Sequence, residues 1–228
     1  MENIKKSFKA IIFDMDGTII KTGHIWDNLI PMLLAQHNIM QFTNAQQEYL
    51  SSMSGMGLIN ALQFIKDEFK LPESLAELGD QAQQHVATLF EKEVEFVEGF
   101  KEFHQRITQH NIPSGIATNA DRASLTHLAD KMQLHQFFGN NLYCVDDVQY
   151  RAKPDPALFL HTASQLGVKP EECIVFEDSI FGFNAARAAG MPCIAIRHSR
   201  NTEHLHHAHH AIDTYHEAEE ALRKLIKK

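Results

Sequence analysis

Polar and charged residues stand where several apolar runs of this chain stop. In "FKAIIFDMDGTII", residues 8–20, the run Ala10–Phe13 gives way to Asp14 and Asp16. "SGIAT" ends at Thr118 with Asn119 next, "CIVFE" ends at Glu177 with Asp178 next, and Lys153 follows "LYCV" by a loop. If these runs are strands of one parallel sheet, their carboxyl ends meet, because that edge is where such sheets bind ligands. Four carboxylates beside one lysine cannot all stay ionised without a compensating cation, and hard oxygen donors point to Mg²⁺. A carboxylate can also attack phosphorus and form an acyl phosphate, which splits one hard substitution into two easier ones. One aspartate would be the nucleophile and another the proton donor.

The elements that must position these groups can be read from the pattern around them. Apolar runs recur at residues 10–13, 114–118, 142–145, 173–177 and 193–196, and runs apolar on both faces suit a parallel sheet. Helices fill the intervals. Asp155 can cap one that has Pro156 in its first turn and Gly167 beyond its end, while Ser179 opens "SIFGFNAARAAG", which closes at Gly190. Thr214 with Glu217 three residues on reads as a capping box for a final helix. Residues from about 22 to 92 break the alternation, with helical patterning throughout and no convincing strand. The expected fold class is therefore α/β, a doubly wound parallel sheet with an inserted α-helical cap: core at 1–21 and 93–228, cap at 22–92.

Bulk properties narrow the partners. At 228 residues the chain exceeds one typical domain, and 44% hydrophobic content is ample for a core. A formal charge of -8 argues against nucleic acid or a membrane surface, which would want clustered Lys and Arg. A small-molecule partner fits better. Cys144, Cys173 and Cys193 sit far apart in apolar runs, as buried reduced thiols do. No signal peptide or transmembrane span is legible, so a cytoplasmic location is expected.

Together these pieces resemble the haloacid dehalogenase-like superfamily, in its phosphatase and phosphomutase branch with a small helical cap. The first motif stands as Asp14-Met15-Asp16-Gly17-Thr18, the second as Thr118-Asn119, the third as Lys153-Pro154, and the fourth as Glu177-Asp178 ahead of "GFNAARAAGM". All four appear in order over nearly the whole chain. The resemblance implies that Asp14 is the nucleophile and a Mg²⁺ ligand, and that Asp16 is the general acid and base. It implies that the metal takes the backbone carbonyl of Asp16, that Asp178 is a further ligand, and that Glu177 ligates directly or through water. Thr118, the backbone amide of Asn119 and Lys153 would clamp phosphate. The implied activity is hydrolysis of a small phosphorylated metabolite, such as a sugar phosphate or phosphoglycolate, through an aspartyl phosphate. Carbon–halogen cleaving members lack an acid two residues after the nucleophile, because a departing halide needs no proton.

Two positions depart from the family pattern. Lys21 replaces an acid at the core–cap hinge, where it is either a solvated linker lysine or a positive charge facing an anionic substrate. Mutases of the branch carry a His ten residues after the general acid; here that position is Trp26, with His24 two residues away. Water is thus the expected phosphoryl acceptor. A sugar-phosphate mutase and a non-catalytic phospho-acceptor or binding protein are the alternatives. Histidines 204, 206, 207, 209 and 210 are expected in an exposed loop before a short strand at "AID" rather than at a metal. Substrate selection is expected near "SGMGLINAL", residues 54–62, where Gly55 and Gly57 would let backbone approach a ligand.

Overall fold

The computed structural model describes residues 1–51, 58–90 and 94–226. Gly55 and Gly57 lie outside them, as do the side chains of His24 and Trp26. A short helix α1 (Glu2–Ser7) precedes the central strand β1 (Ala10–Phe13). Four helices follow: α2 (Gly23–Ala35), α3 (Asn44–Ser51), α4 (Leu58–Phe69) and α5 (Leu75–Phe90). Alternation then resumes with α6 (Phe100–Gln109), β2 (Ser114–Ala117), α7 (Arg122–Lys131), α8 (His135–Phe138) and β3 (Leu142–Tyr143). The chain continues through α9 (Ala157–Gln165), β4 (Cys173–Glu177), α10 (Ile180–Ala188), β5 (Cys193–Ile196), β6 (His210–Ile212) and α11 (Ala218–Ile226).

All six strands are parallel, in the order β3-β2-β1-β4-β5-β6. From β1 the chain winds outwards to β2 and β3 and then returns to lay β4, β5 and β6 on the other side. The order reverses beside β1, so a crevice opens at its carboxyl end. Burial on both faces explains the unbroken apolar strands. Ile11 and Phe13 pack on one face with Ile116, Ile174 and Phe176, under α6, α8 and α11, while Ala10 and Ile12 face α9 and α10 with Val175 and Ala195. On the first face Phe13 stacks on Phe176 with ring centroids 5.3 Å apart and meets Phe100 edge-on at 5.8 Å. Tyr215 completes this aromatic layer, and its hydroxyl donates to the carbonyl of Thr18 at 3.2 Å.

Local signals act as their chemistry requires. Ser179 caps α10, its hydroxyl accepting from the Gly182 amide at 3.1 Å. The Asp155 carboxylate accepts from the Ala157 amide at 2.8 Å, and Glu217 accepts from the Thr214 amide at 3.1 Å ahead of α11. Strand β3 stops two residues before the end of its apolar run, because the Cys144 amide turns to the Asp147 carboxylate at 2.8 Å and a 3₁₀ turn follows. The histidine segment is likewise more ordered than a loop. Residues Thr202–His207 form a 3₁₀ turn, His209 Nδ1 accepts from the Cys193 amide at 3.2 Å, and His210 belongs to β6.

Helices α2 and α5 pack together, as do α4 and α5, around Ile25, Leu29, Leu62, Ile65 and Leu78. The chain enters and leaves these helices through two linkers that cross as a ribbon. Ile20 bridges Phe96 in antiparallel fashion, the Lys21 amide donates to the Glu95 carbonyl at 2.8 Å, and the Val97 amide donates to the Ile19 carbonyl at 2.9 Å. The ammonium of Lys21 pairs with Glu95 Oε2 at 3.3 Å, across the ribbon and in solvent. Its charge is therefore engaged by the neighbouring linker. The three cysteines are free and buried. Among the described residues no helix is long and apolar enough to cross a membrane.

One buried titratable group on α6 makes a measurable prediction. His104 is 4% exposed, lies 4.9 Å from the Phe138 ring and sits 3.0 Å from Ser114 Oγ, and burial lowers its pKa from 6.5 to about 4. The folded protein resists protonating it whereas the unfolded chain does not. Stability from this group is therefore complete above pH 6.5 and is lost as pH falls from there towards 4, by about 3 kcal/mol. Urea denaturation at pH 7 and pH 4.5 is expected to show a fall at least about 2 kcal/mol smaller for His104→Gln than for the wild type. Equal falls would assign the acid sensitivity to other groups.

Candidate active site

The crevice beside β1 is built from five chain segments. At its centre, Asp14 continues the sheet one residue past β1, its amide donating to the Phe176 carbonyl at 2.9 Å. The chain then turns sharply, with the Ile19 and Ile20 amides donating to the Met15 carbonyl at 3.0 and 3.1 Å. Gly17 makes that turn possible at φ +80. A Cβ there would fall 2.1 Å from Asp178 Oδ2, so the turn passes directly against that carboxylate.

Lys153 occupies the middle of the site. Its ammonium is 1% exposed and donates to Asp14 Oδ1 at 2.7 Å and to Glu177 Oε1 at 2.8 Å, with the Phe159 ring centroid 4.7 Å away. Asn119, beyond the end of β2, grips the lysine's main chain: its Oδ1 accepts from the Lys153 amide at 2.8 Å, and its Nδ2 donates to the Lys153 carbonyl at 3.4 Å. Thr118 is buried, with its hydroxyl accepting from the Ala120 amide at 3.1 Å. Glu177 Oε2 accepts from the Ser179 amide at 2.5 Å. Asp178 Oδ2 lies 3.0 Å from His198 Nε2.

Among the described residues one group of side chains could hold a metal ion: Asp14, Glu177 and Asp178, whose ligand oxygens all lie within 4.8 Å of one another. Asp16 is partly exposed and is not a member. Three carboxylates face one ammonium, so full ionisation would leave two negative charges buried without balance. Burial raises the pKa of Asp14 well above the carboxylate range; the Lys153 charge opposes the rise, while Glu177 and Asp178 add to it. Glu177 is raised by the same causes. For Lys153, burial favours the neutral form, but Asp14 and Glu177 outweigh it and the ammonium is held firmly protonated. Hard oxygen donors, close spacing and an excess of two negative charges are what a small divalent cation such as Mg²⁺ requires.

Lys153 thus touches Asp14 and Glu177, and Asp178 shares a metal-sized cluster with both, with Thr118 and Asn119 at the adjacent strand end and Asp16 in the turn. Sequence reasoning passed over four further contributors: His198, Asn201, Tyr215 and Gly182. A helix-interior glycine is a readable signal, since glycine weakens helices unless its missing side chain serves something. At Gly182 a Cβ would meet the Glu177 carboxylate at 1.9 Å. Gly182→Ala is therefore expected to displace Glu177 from Lys153 and destabilise the protein by about 2–4 kcal/mol in urea denaturation. Gly79 in α5 has nothing within 4 Å of its Cβ position, and Gly79→Ala is expected to stabilise by about 0.5–1 kcal/mol. Similar effects at the two sites would remove the packing role assigned to Gly182.

The chain is similar to known proteins in sequence and in fold. A family model described as haloacid dehalogenase-like hydrolase matches residues 11–196. The chain is 28% identical over 183 residues to 6-phosphogluconate phosphatase of Escherichia coli K12, covering 80% of each protein. It is also 28% identical over 190 residues to a fructose-1-phosphate phosphatase of the same organism, covering 83% of this chain and 97% of the relative. In fold it is similar to a haloacid dehalogenase-like hydrolase of Entamoeba histolytica, with TM-score 0.83 and 23% identity over 97% of this chain and 100% of the other.

Proposed function

The chain belongs to the haloacid dehalogenase-like hydrolase family, and from that footing we propose that this phosphoric monoester hydrolase cleaves small phosphorylated metabolites with Mg²⁺, carrying the phosphoryl group on Asp14. The observation that carries the reading is the buried lysine shared by Asp14 and Glu177, with Asp178 alongside and two negative charges left to balance.

In the first half-reaction a carboxylate oxygen of Asp14 bonds to phosphorus as the ester P–O bond breaks, and Asp16 gives its proton to the departing alkoxide. In the second half Asp16 takes a proton from water, the water oxygen bonds to phosphorus, and the bond to Asp14 breaks to release phosphate. Lys153, the Thr118 hydroxyl and the backbone amide of Asn119 hold the phosphoryl oxygens in place, since phosphoryl transfer needs alignment and charge neutralisation above all. Asp14, Asp178, the Asp16 carbonyl and Glu177, directly or through water, would hold Mg²⁺, whose charge would offset the negative charge of the phosphoryl group. Residues 1–21 and 93–228 serve as the catalytic core, and residues 22–92 serve as a cap that closes on the ribbon at Lys21 and Glu95 and excludes water.

Trp26, at the position where mutases of this branch have histidine, favours water as the acceptor. The test is phosphate release from a panel of sugar phosphates, phosphoglycolate and other organic-acid phosphates, with Mg²⁺ and with a chelator. Mg²⁺-dependent release of free phosphate supports the reading. No turnover across the panel, or an isomeric sugar phosphate without free phosphate, overturns it.

A further inference from the structure

Strand β5 delivers a residue to the site just as β1, β2 and β4 do. His198 lies two residues past Ile196, and its Nε2 is 3.0 Å from Asp178 Oδ2. Its other ring nitrogen settles which of them carries the proton. The Arg200 amide donates to His198 Nδ1 at 3.2 Å, so Nδ1 accepts and the proton of the neutral ring sits on Nε2, aimed at the carboxylate. We propose that His198 is a positioning residue for Mg²⁺ binding: its Nε2–H fixes the Asp178 carboxylate in the orientation in which it ligates the metal.

The loop around His198 is built to hold that ring. Asn201 is 3% exposed, and its amide nitrogen donates to the Asp178 carbonyl at 2.7 Å and to the Ile196 carbonyl at 2.8 Å. Its amide oxygen accepts from the His198 backbone at 3.0 Å. One buried side chain thus ties the end of β5, the backbone of Asp178 and the backbone of His198 into a single unit. On the opposite flank Gly17 leaves no space beyond Asp178 Oδ2. Among the described residues the other hydrogen bond to the carboxylate is long, with the Thr18 hydroxyl 3.4 Å from Oδ1. His198 is therefore the principal fixed donor to Asp178, and a carboxylate oxygen accepting one such bond keeps lone pairs for a cation. Groups that orient ligating side chains typically alter metal affinity by about 10–100-fold when removed.

The inference rests on the metal-dependent reading above, and calorimetric Mg²⁺ titration separates the two. Wild type, His198→Gln and His198→Leu are compared; glutamine keeps an N–H donor at a similar reach, and leucine keeps volume without a donor. The Mg²⁺ dissociation constant of His198→Leu is expected to rise at least about tenfold, while that of His198→Gln stays within about threefold of wild type. At saturating Mg²⁺ the kcat of His198→Leu should return to within a few-fold of wild type, with KM for substrate unchanged. Unchanged Mg²⁺ affinity in folded His198→Leu, or equal losses in both variants, overturns the role of His198 and leaves the phosphatase reading standing. Wild type that binds no Mg²⁺ overturns both. The ¹⁵N chemical shifts of His198 in wild type at pH 8 give a check that needs no variant: a protonated Nε2 and bare Nδ1 support the role, and the opposite tautomer ends it.

Discussion

Asp14→Asn is expected to lower kcat by at least about 10⁴-fold, the scale on which loss of a covalent nucleophile acts. The amide keeps an oxygen that can accept from Lys153, so geometry survives while the negative charge that makes the oxygen nucleophilic is lost. The same change removes one of the three crowded carboxylates, whose burial already opposes ionisation. Melting of the metal-free protein should therefore be unchanged or raised, and Mg²⁺ affinity should fall. Rapid-quench labelling with a ³²P-substrate gives the direct measurement: wild type should show acid-stable, alkali-labile label in the first turnover, and the variant none. Turnover within tenfold of wild type would place the nucleophile elsewhere.

Lys153→Met is expected to damage folding as much as catalysis. It strips Asp14 and Glu177 of a buried cation held at 2.7 and 2.8 Å, leaving two buried carboxylates with no countercharge. Breaking such a pair from one side costs about 3–5 kcal/mol. The pH dependence follows from the sign of the shifts. Both carboxyl groups already have folded pKa values raised above their unfolded ones, and losing the ammonium raises them further. A raised carboxyl stabilises the folded state when protonated, below the unfolded pKa, and that stabilisation is lost as pH rises through the folded pKa. The metal-free variant should therefore gain stability relative to wild type as pH is lowered from 8 to 5, the reverse of the trend that His104 imposes. Mg²⁺ should restore part of the loss at pH 8. Urea titrations at both pH values, with Mg²⁺ and with chelator, measure all three effects, and a loss below about 1 kcal/mol would contradict the buried ion pair.

Much of this site was legible before any coordinates because buried parallel strands write themselves plainly. Ala10–Phe13, Cys173–Glu177 and Cys193–Ile196 begin and end where their apolar runs do, since both faces are covered and the first polar residue marks the exit from the core. The edge was harder. Strand β3 holds only two residues because Asp147 captures the Cys144 amide, a side-chain choice that apolar patterning does not record. Helix α1 was not foreseen, because a six-residue element anchored mainly by Ile4 has too little periodicity to stand out. His198 was missed for a different reason. The residues after the fifth apolar run, Arg197 and His198, carry no motif in the sequence, and only the Asn201 hydrogen bonds bring them to Asp178. Gly182 lay in a quoted motif, but only packing shows what its absent side chain accommodates.

The hydrogen bond from Tyr215 to the carbonyl of Thr18 joins residues 197 apart, and the ammonium that holds Asp14 arrives 139 residues after it. On a ribosome, Asp14 and Thr18 emerge long before the side chains that brace them. The cluster around Asp14 therefore stays unassembled during translation until the segment carrying Tyr215 has followed.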